Sequence, residues 1–299
     1  MSNKKLLVEK LLTLVWIAVV SAVLIQIYRY AQPAWDRIDG FNGPLALAGV
    51  AAGLLAGLPS VWILADYFRR FGRPDWWWLA FILTFLPAMG KYIPGKIWVA
   101  GSFILHAGNL ANISAGDSMV YQVYFQVLGI MATVLLLLGG SLAGYGLLYS
   151  VEFLAAGVVI MFSLIALVVF LGKLLNRYGI KPRAERVLPH IAALVVQKVL
   201  RGGALVLFIS AFIGVHEYTA SILLSFFISM QIGVLAFFAP AGLGITEGVY
   251  MVTLAPVMGM ENAILVAVLS RIWHTLLDAL LAMLALVIRV RRMPVLTGT

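Results

Sequence analysis

Residues 76–106 read WWWLAFILTFLPAMGKYIPGKIWVAGSFILH, and residues 219–258 read TASILLSFFISMQIGVLAFFAPAGLGITEGVYMVTLAPVM. Both are apolar almost throughout, yet neither reads as one uninterrupted helix. Pro87, Gly90, Pro94 and Gly95 break the first; Pro240, Gly242, Gly244 and Gly248 break the second. Proline lacks an N–H and clashes with the preceding turn, and glycine lets the backbone turn. Backbone groups released at such breaks cannot face lipid, where nothing pairs them. Each stretch therefore reads as two short helices meeting at an irregular point buried in protein.

Around these stretches lie continuous apolar runs at about 11–30, 44–65, 119–138, 153–175, 191–212 and 262–288. A helix needs about 20 residues to cross a hydrocarbon core, and each run meets that length. Of the 299 residues, 63% are apolar and 11% charged, with a mean hydropathy of +1.03. Soluble domains carry roughly 25% charged residues, so a soluble enzyme, a disordered chain and a soluble nucleic-acid binder are excluded. The absence of Cys excludes disulfides, thiolate metal sites and a cysteine nucleophile. Lys4, Lys5 and Lys10 precede the first run. That run exceeds the roughly 7–15 residues of a signal core and no A-x-A site follows it, so it reads as a retained span.

The expected fold is an all-α polytopic membrane protein with six full spans and two broken re-entrant helical hairpins. Residues 1–150 give span, span, broken hairpin, span, and residues 151–299 repeat that order. Three crossings per half invert the second half, giving one transmembrane domain built as an inverted repeat. Loop charges agree. With the N-terminus inside, cytoplasmic segments hold Lys4, Lys5, Lys10, Arg69, Arg70, Arg73, Lys173, Arg177, Lys181, Arg183, Arg186, Arg289, Arg291 and Arg292. Outside segments hold only Arg29 and Arg37, as the positive-inside rule requires. Both termini are expected in the cytoplasm, and the formal charge of +9 is largely topology. Two spanning hairpins would give ten crossings and the same sidedness; the shortness of the broken pieces favours re-entrant ones. Trp76, Trp77 and Trp78 beside Arg73 suit an interfacial belt.

Five cations remain inside apolar stretches: Lys91, Lys96, Lys198, Arg201 and Arg271, together with Glu247, His274 and Asp278. A charge at the bilayer centre costs about 2.5–3.5 kcal/mol even on the lenient scale. Such groups lock helices as ion pairs, snorkel to the interface, or line a polar pathway. Lys91 and Lys96 flank the Pro94-Gly95 break, where the next helix points its amides and positive dipole end. Two ammonium groups there form a candidate anion site. Gly242, Gly244 and Thr246 can leave amides open in the same way before Glu247. Paired Gly/Pro-interrupted segments in two halves point to a transporter site. Arg271, His274 and Asp278 share one face of the last span, with Glu247 the favoured partner of Arg271. Ser118, Gln122, Gln126, Gly129 and Thr133 form a polar stripe of the kind that more often seals helices together.

Other motifs fail. Gly242, Gly244 and Gly248 lack dinucleotide spacing, His216-Glu217 lacks the second zinc-protease histidine, and no G-x-S-x-G surrounds Ser141. The four scattered His argue against a metal site. Asn112-Ile113-Ser114 matches a glycosylation sequon but falls in an expected cytoplasmic loop. No catalytic constellation is visible, and neither cofactor nor metal is expected.

Lys91-Tyr92-Ile93-Pro94-Gly95-Lys96-Ile97-Trp98 and Pro240-Ala241-Gly242-Leu243-Gly244-Ile245-Thr246-Glu247-Gly248, followed by Arg271, resemble the flippase-like family of the lysylphosphatidylglycerol synthase transmembrane region. The resemblance implies a bacterial or archaeal plasma-membrane protein that moves anionic or lipid-linked sugar molecules between leaflets, with a glycosyltransferase as a candidate partner and no nucleic acid. It implies a substrate site of Lys91, Tyr92, Pro94, Gly95, Lys96, Trp98, Pro240, Gly242, Gly244, Thr246, Glu247 and Arg271. Asp278, His274, Lys198 and Arg201 become candidates for coupling or gating. The family commonly has Arg before the glutamate, where this chain has Thr246, and an acidic residue in the third span, where this chain has Gln122 and Gln126. The chain runs eleven residues past the last expected span, leaving no room for an aminoacyltransferase domain. The alternatives are a transporter of a small soluble anion and a non-transporting scaffold for a glycosyltransferase.

Overall fold

The structure is a computed structural model that describes residues 38, 40–69, 77–93, 97–142, 186–235 and 240–292. The expected spans at 11–30 and 153–175 lie outside the described residues, as do Pro94, Gly95, Lys96 and most loop cations. Helices account for nearly all of the described residues, with no strand among them. In chain order they are α1 (Gly43–Leu55), α2 (Leu58–Arg69), α3 (Trp77–Phe85), α4 (Ile97–Ala111), α5 (Ala115–Leu142), α6 (Val187–Ser210), α7 (Thr219–Leu235), α8 (Ile245–Met258) and α9 (Met260–Arg292). Among the described residues, four segments are long and apolar enough to cross a membrane: Gly43–Arg69, Ala115–Gly140, Val187–Ser210 and Met260–Arg292.

The span expected at 44–65 is two helices rather than one. Pro59 cannot donate to the carbonyl four residues earlier, so α1 closes through Ala56 N–H to Ala52 O (2.9 Å) and Gly57 N–H to Leu54 O (3.1 Å) before α2 begins. Both broken stretches do form helix, break, helix. A tight 3-10 turn, Pro87–Tyr92, separates α3 from α4, and a shorter one, Pro240–Gly242, separates α7 from α8. Gly90 is required at the first turn, because a Cβ there would meet the backbone of Trp98 at 2.9 Å.

Two apolar clusters fill the bundle. One joins α2, α3, α4 and α5 to Ile191 and Leu194 of α6 and Leu281 and Ala285 of α9. The other joins Ala204–Ile209 of α6 and Leu265–Leu277 of α9 to Ala46, α7 and α8. Because α6 and α9 visit the clusters in opposite order, they run antiparallel. On both, the boundary between clusters falls near mid-helix. Polar residues gather there: Gln197, which accepts a buried hydrogen bond from Ser60 (2.8 Å), and Lys198 and Arg201 on α6; His274 and Asp278 on α9.

Small residues let α1 reach both long helices. Gly49 lies against Ala204 and Phe208 of α6, and Gly53 against Trp273 and Leu277 of α9. Trp273 Nε1–H donates to Gly49 O (3.2 Å), a bond that needs this close approach. On α5 the polar stripe acts as a seam: Thr133 is fully buried, its hydroxyl bonds Gly129 O (3.1 Å), and Gln231 Nε2 of α7 donates to it (2.7 Å).

Candidate functional site

The two breaks touch each other, and each is tied to the middle of α9. The first break reaches it through Asp278. Lys91 Nζ lies 2.5 Å from Asp278 Oδ2, and Tyr92 OH donates to the same oxygen (2.6 Å). Lys91 also stands over the Tyr92 ring, 5.5 Å from its centroid. The expected partner of Arg271, Glu247, is the one found: Arg271 Nη1 lies 3.4 Å from Glu247 Oε1 and donates to Ala241 O (3.0 Å). Ala241 offers that carbonyl because it adopts a left-handed conformation (φ 48°), followed by Gly242 (φ 71°) and Gly244 (φ 80°). A non-glycine residue in that region is strained, and the Arg271 bond offsets the cost.

The open amides expected at the second break are not all open. Gly244 N–H donates to Glu247 Oε2 (2.8 Å), and the Thr246 hydroxyl lies within bonding distance of Glu247 Oε2 (2.9 Å) and Gly242 O (3.2 Å). The chain's own carboxylate thus caps the α8 N-terminus, where negative charge is most stable. Gly242 is held tight for a second reason, since a Cβ there would meet the Thr246 methyl at 2.9 Å.

His274, one turn beyond Arg271, approaches Ser270 O through Nδ1 at 2.7 Å. A carbonyl only accepts, so Nδ1 carries a proton, and Nε2 is buried without a hydrogen-bond partner. The ring stacks on Phe226 (5.9 Å) and meets Trp273 edge-on (4.9 Å). Arg201 is close enough to act electrostatically on Asp278 and His274. Neither Lys198 nor Arg201 forms an ion pair among the described residues. Lys91, Tyr92, Asp278, His274 and Arg201 thus form one neighbourhood, adjoining the pair Glu247 and Arg271 across the touching breaks. Trp98 is not part of it, being 50% exposed. Pro94, Gly95 and Lys96 are outside the described residues, as is the side chain of Pro240.

A second charged cluster escaped the sequence reading. Asp66 at the end of α2 lies 3.2 Å from His190 Nε2, 3.5 Å from Arg69 Nη1 and 3.9 Å from Arg186 Nε. Tyr124 OH of α5 meets His190 Nδ1 at 2.8 Å. Asp66 and His190 are buried while both arginines are well exposed. A carboxylate one turn before Arg69 was the available signal; nothing in the sequence names His190 or Tyr124 as its partners. The cluster clamps α2, α5 and α6 at one end of the bundle. Asp66→Ala removes the buried carboxylate beside His190 and the counter-charge of two exposed arginines, and is expected to cost about 2 kcal/mol. Thermal unfolding of the detergent-solubilised chain measures it, and Tyr124→Phe should cost only about 1 kcal/mol.

Among the described residues, no group of three or more His, Asp or Glu side chains could hold a metal. A shallow groove lined by residues 40–44 and 210–214 carries no charged side chain and lies at the end of α1 and α6, away from the breaks. No family model, no curated protein and no solved structure matches the chain.

Proposed function

We propose that the chain is a membrane transporter that carries an anionic, phosphate-bearing lipid or lipid-linked substrate between leaflets. The supporting observation is the meeting of the two breaks, each held to the middle of α9 by a separate ion pair. Irregular backbone and charge at mid-helix depth persist in a membrane only where they are buried in protein or line a cavity. Among the described residues, the layer holds the cations Lys91, Lys198, Arg201 and Arg271 and the carboxylates Asp278 and Glu247. A positive surplus in a low-dielectric layer favours an anionic occupant.

On this reading the two halves are inverted repeats that rock about the breaks, exposing the layer to one face and then the other. The headgroup passes through the charged layer while the tails stay in lipid. Lys91, Lys96 and Arg271 contribute to the site, and Glu247 with Arg271 acts as a gate pair. N- and C-termini lie in the cytoplasm, and the first and fourth spans come from residues 11–30 and 153–175.

The test is reconstitution into vesicles with tail-labelled phosphatidic acid and phosphatidylcholine, reading how fast label becomes accessible to an impermeant quencher. Wild type should expose inner-leaflet phosphatidic acid at least about tenfold faster than empty vesicles. Lys91→Gln and Glu247→Gln should each remove most of that gain. Equal rates in protein-bearing and empty vesicles, for every phosphate lipid tried, defeat the reading. Uptake of free phosphate without lipid movement would identify a soluble-anion transporter instead.

A further inference from the structure

We infer that Lys198 and Arg201 form the seat of the phosphate group, and that Asp278 is the internal carboxylate that competes with it. This names the anion subsite within the proposed transport site and rests on that reading. Of the four cations in the layer, Lys91 and Arg271 already hold carboxylates. Among the described residues Lys198 and Arg201 hold none, although they stand one turn apart on the same face of α6, where like charges repel. Their fields meet each other, and that of Arg201 reaches Asp278 as well.

Snorkelling does not relieve them. Lys198 lies eleven residues after Val187 and twelve before Ser210, so at 1.5 Å per residue it is about 16–18 Å from either helix end. Its aliphatic stem, about 6 Å long, cannot span that distance. Arg201 Nε is buried without a hydrogen-bond partner, whereas buried donors in folded proteins are almost always paired. A guanidinium donor without a partner beside an ammonium that holds no carboxylate among the described residues is the donor set that phosphate takes: Arg by directed hydrogen bonds, Lys as a point charge. Arg201 also acts on Asp278, so Asp278 lies in the field of two cations. It holds Lys91 at close range and attracts Arg201 from farther away. An arriving phosphate completes the charge balance at Arg201 without displacing the Lys91 pair.

The experiment is titration calorimetry on the purified full chain, with short-chain phosphatidic acid, phosphatidylcholine of the same chains and inorganic phosphate. Saturable binding of phosphatidic acid, weakened about tenfold or more by Arg201→Gln and by Lys198→Gln, supports the seat. Arg201→Lys should lose less than Arg201→Gln, and Asp278→Asn should bind more tightly than wild type. Inorganic phosphate binding with the same dependence on Arg201 shows that the seat reads the phosphate itself. Failure of inorganic phosphate alone shows a lipid headgroup site and leaves the seat standing. Unchanged affinity in Arg201→Gln and Lys198→Gln chains that unfold at the wild-type temperature overturns it. So does the absence of any phosphate binding by folded wild type. Binding through Arg201 without movement in vesicles defeats only the transport reading. Movement that Arg201→Gln leaves untouched defeats only the seat.

Discussion

Gly49→Val is expected to destabilise the bundle by about 3 kcal/mol or more, lowering the unfolding temperature by at least about 6 °C. A Cβ at Gly49 would sit 2.7 Å from Phe208 N and 2.9 Å from Ala204 O. These are backbone atoms of α6, so no side chain can swing away to make room. Relief requires α1 to move off α6, which also breaks the Trp273 bond to Gly49 O. Trp273 has no other indole donor to satisfy, and its ring is completely buried. Gly203 is the control. A Cβ there meets nothing within 4 Å, so Gly203→Ala should stabilise α6 by up to about 1 kcal/mol. Thermal unfolding in one detergent compares the two, and similar losses at both positions would contradict this account of the α1–α6 contact.

Asp278→Ala is expected to cost about 3–5 kcal/mol, because it leaves Lys91 charged without its carboxylate and Tyr92 OH without its acceptor. Lys91 is one-third exposed while Asp278 is mostly buried, which places the cost nearer the lower figure. Asp278→Asn keeps an acceptor for Tyr92 and should cost less than alanine. Combining Lys91→Met with Asp278→Leu should recover much of the stability, since a matched apolar pair replaces a buried ion pair at little cost. Transport should stay lost in that double variant, which separates the site's chemistry from its contribution to folding. A double variant no more stable than Asp278→Ala would show that the pair is not the main tie between the first break and α9.

The breaks were legible from Pro and Gly alone, because these residues act through the backbone at their own positions. Four spans were legible for the same local reason: twenty apolar residues in a row have few alternatives. The partner of Arg271 was legible because only one carboxylate stood near a break. Asp278 was harder. Its place on the Arg271 face showed that it points inward, but not that Lys91 and Tyr92 of the first break would reach it. That contact spans 186 residues, and no periodicity reports it. The division of α1 from α2 turned on Pro59, which lies inside an otherwise continuous apolar run and was outweighed by it. Asp66, His190 and Tyr124 come from three different helices, so each looks ordinary in its own segment. The pairing of the Gly244 amide is not legible locally, because the folding back of Glu247 depends on the left-handed turn before it.

On the proposed reading, the charged layer between the breaks is a pathway reached by water from both faces, rather than a sealed lock. The absence of native Cys allows one thiol to report without background. Thr246 stands half-buried beside Glu247, and Thr246→Cys is a small change in volume. In oriented membrane vesicles, the account predicts that this thiol reacts with an impermeant charged reagent added to either face, and that phosphatidic acid slows both reactions. Labelling from one face only, or from neither while a thiol at exposed Leu188 reacts, would contradict it.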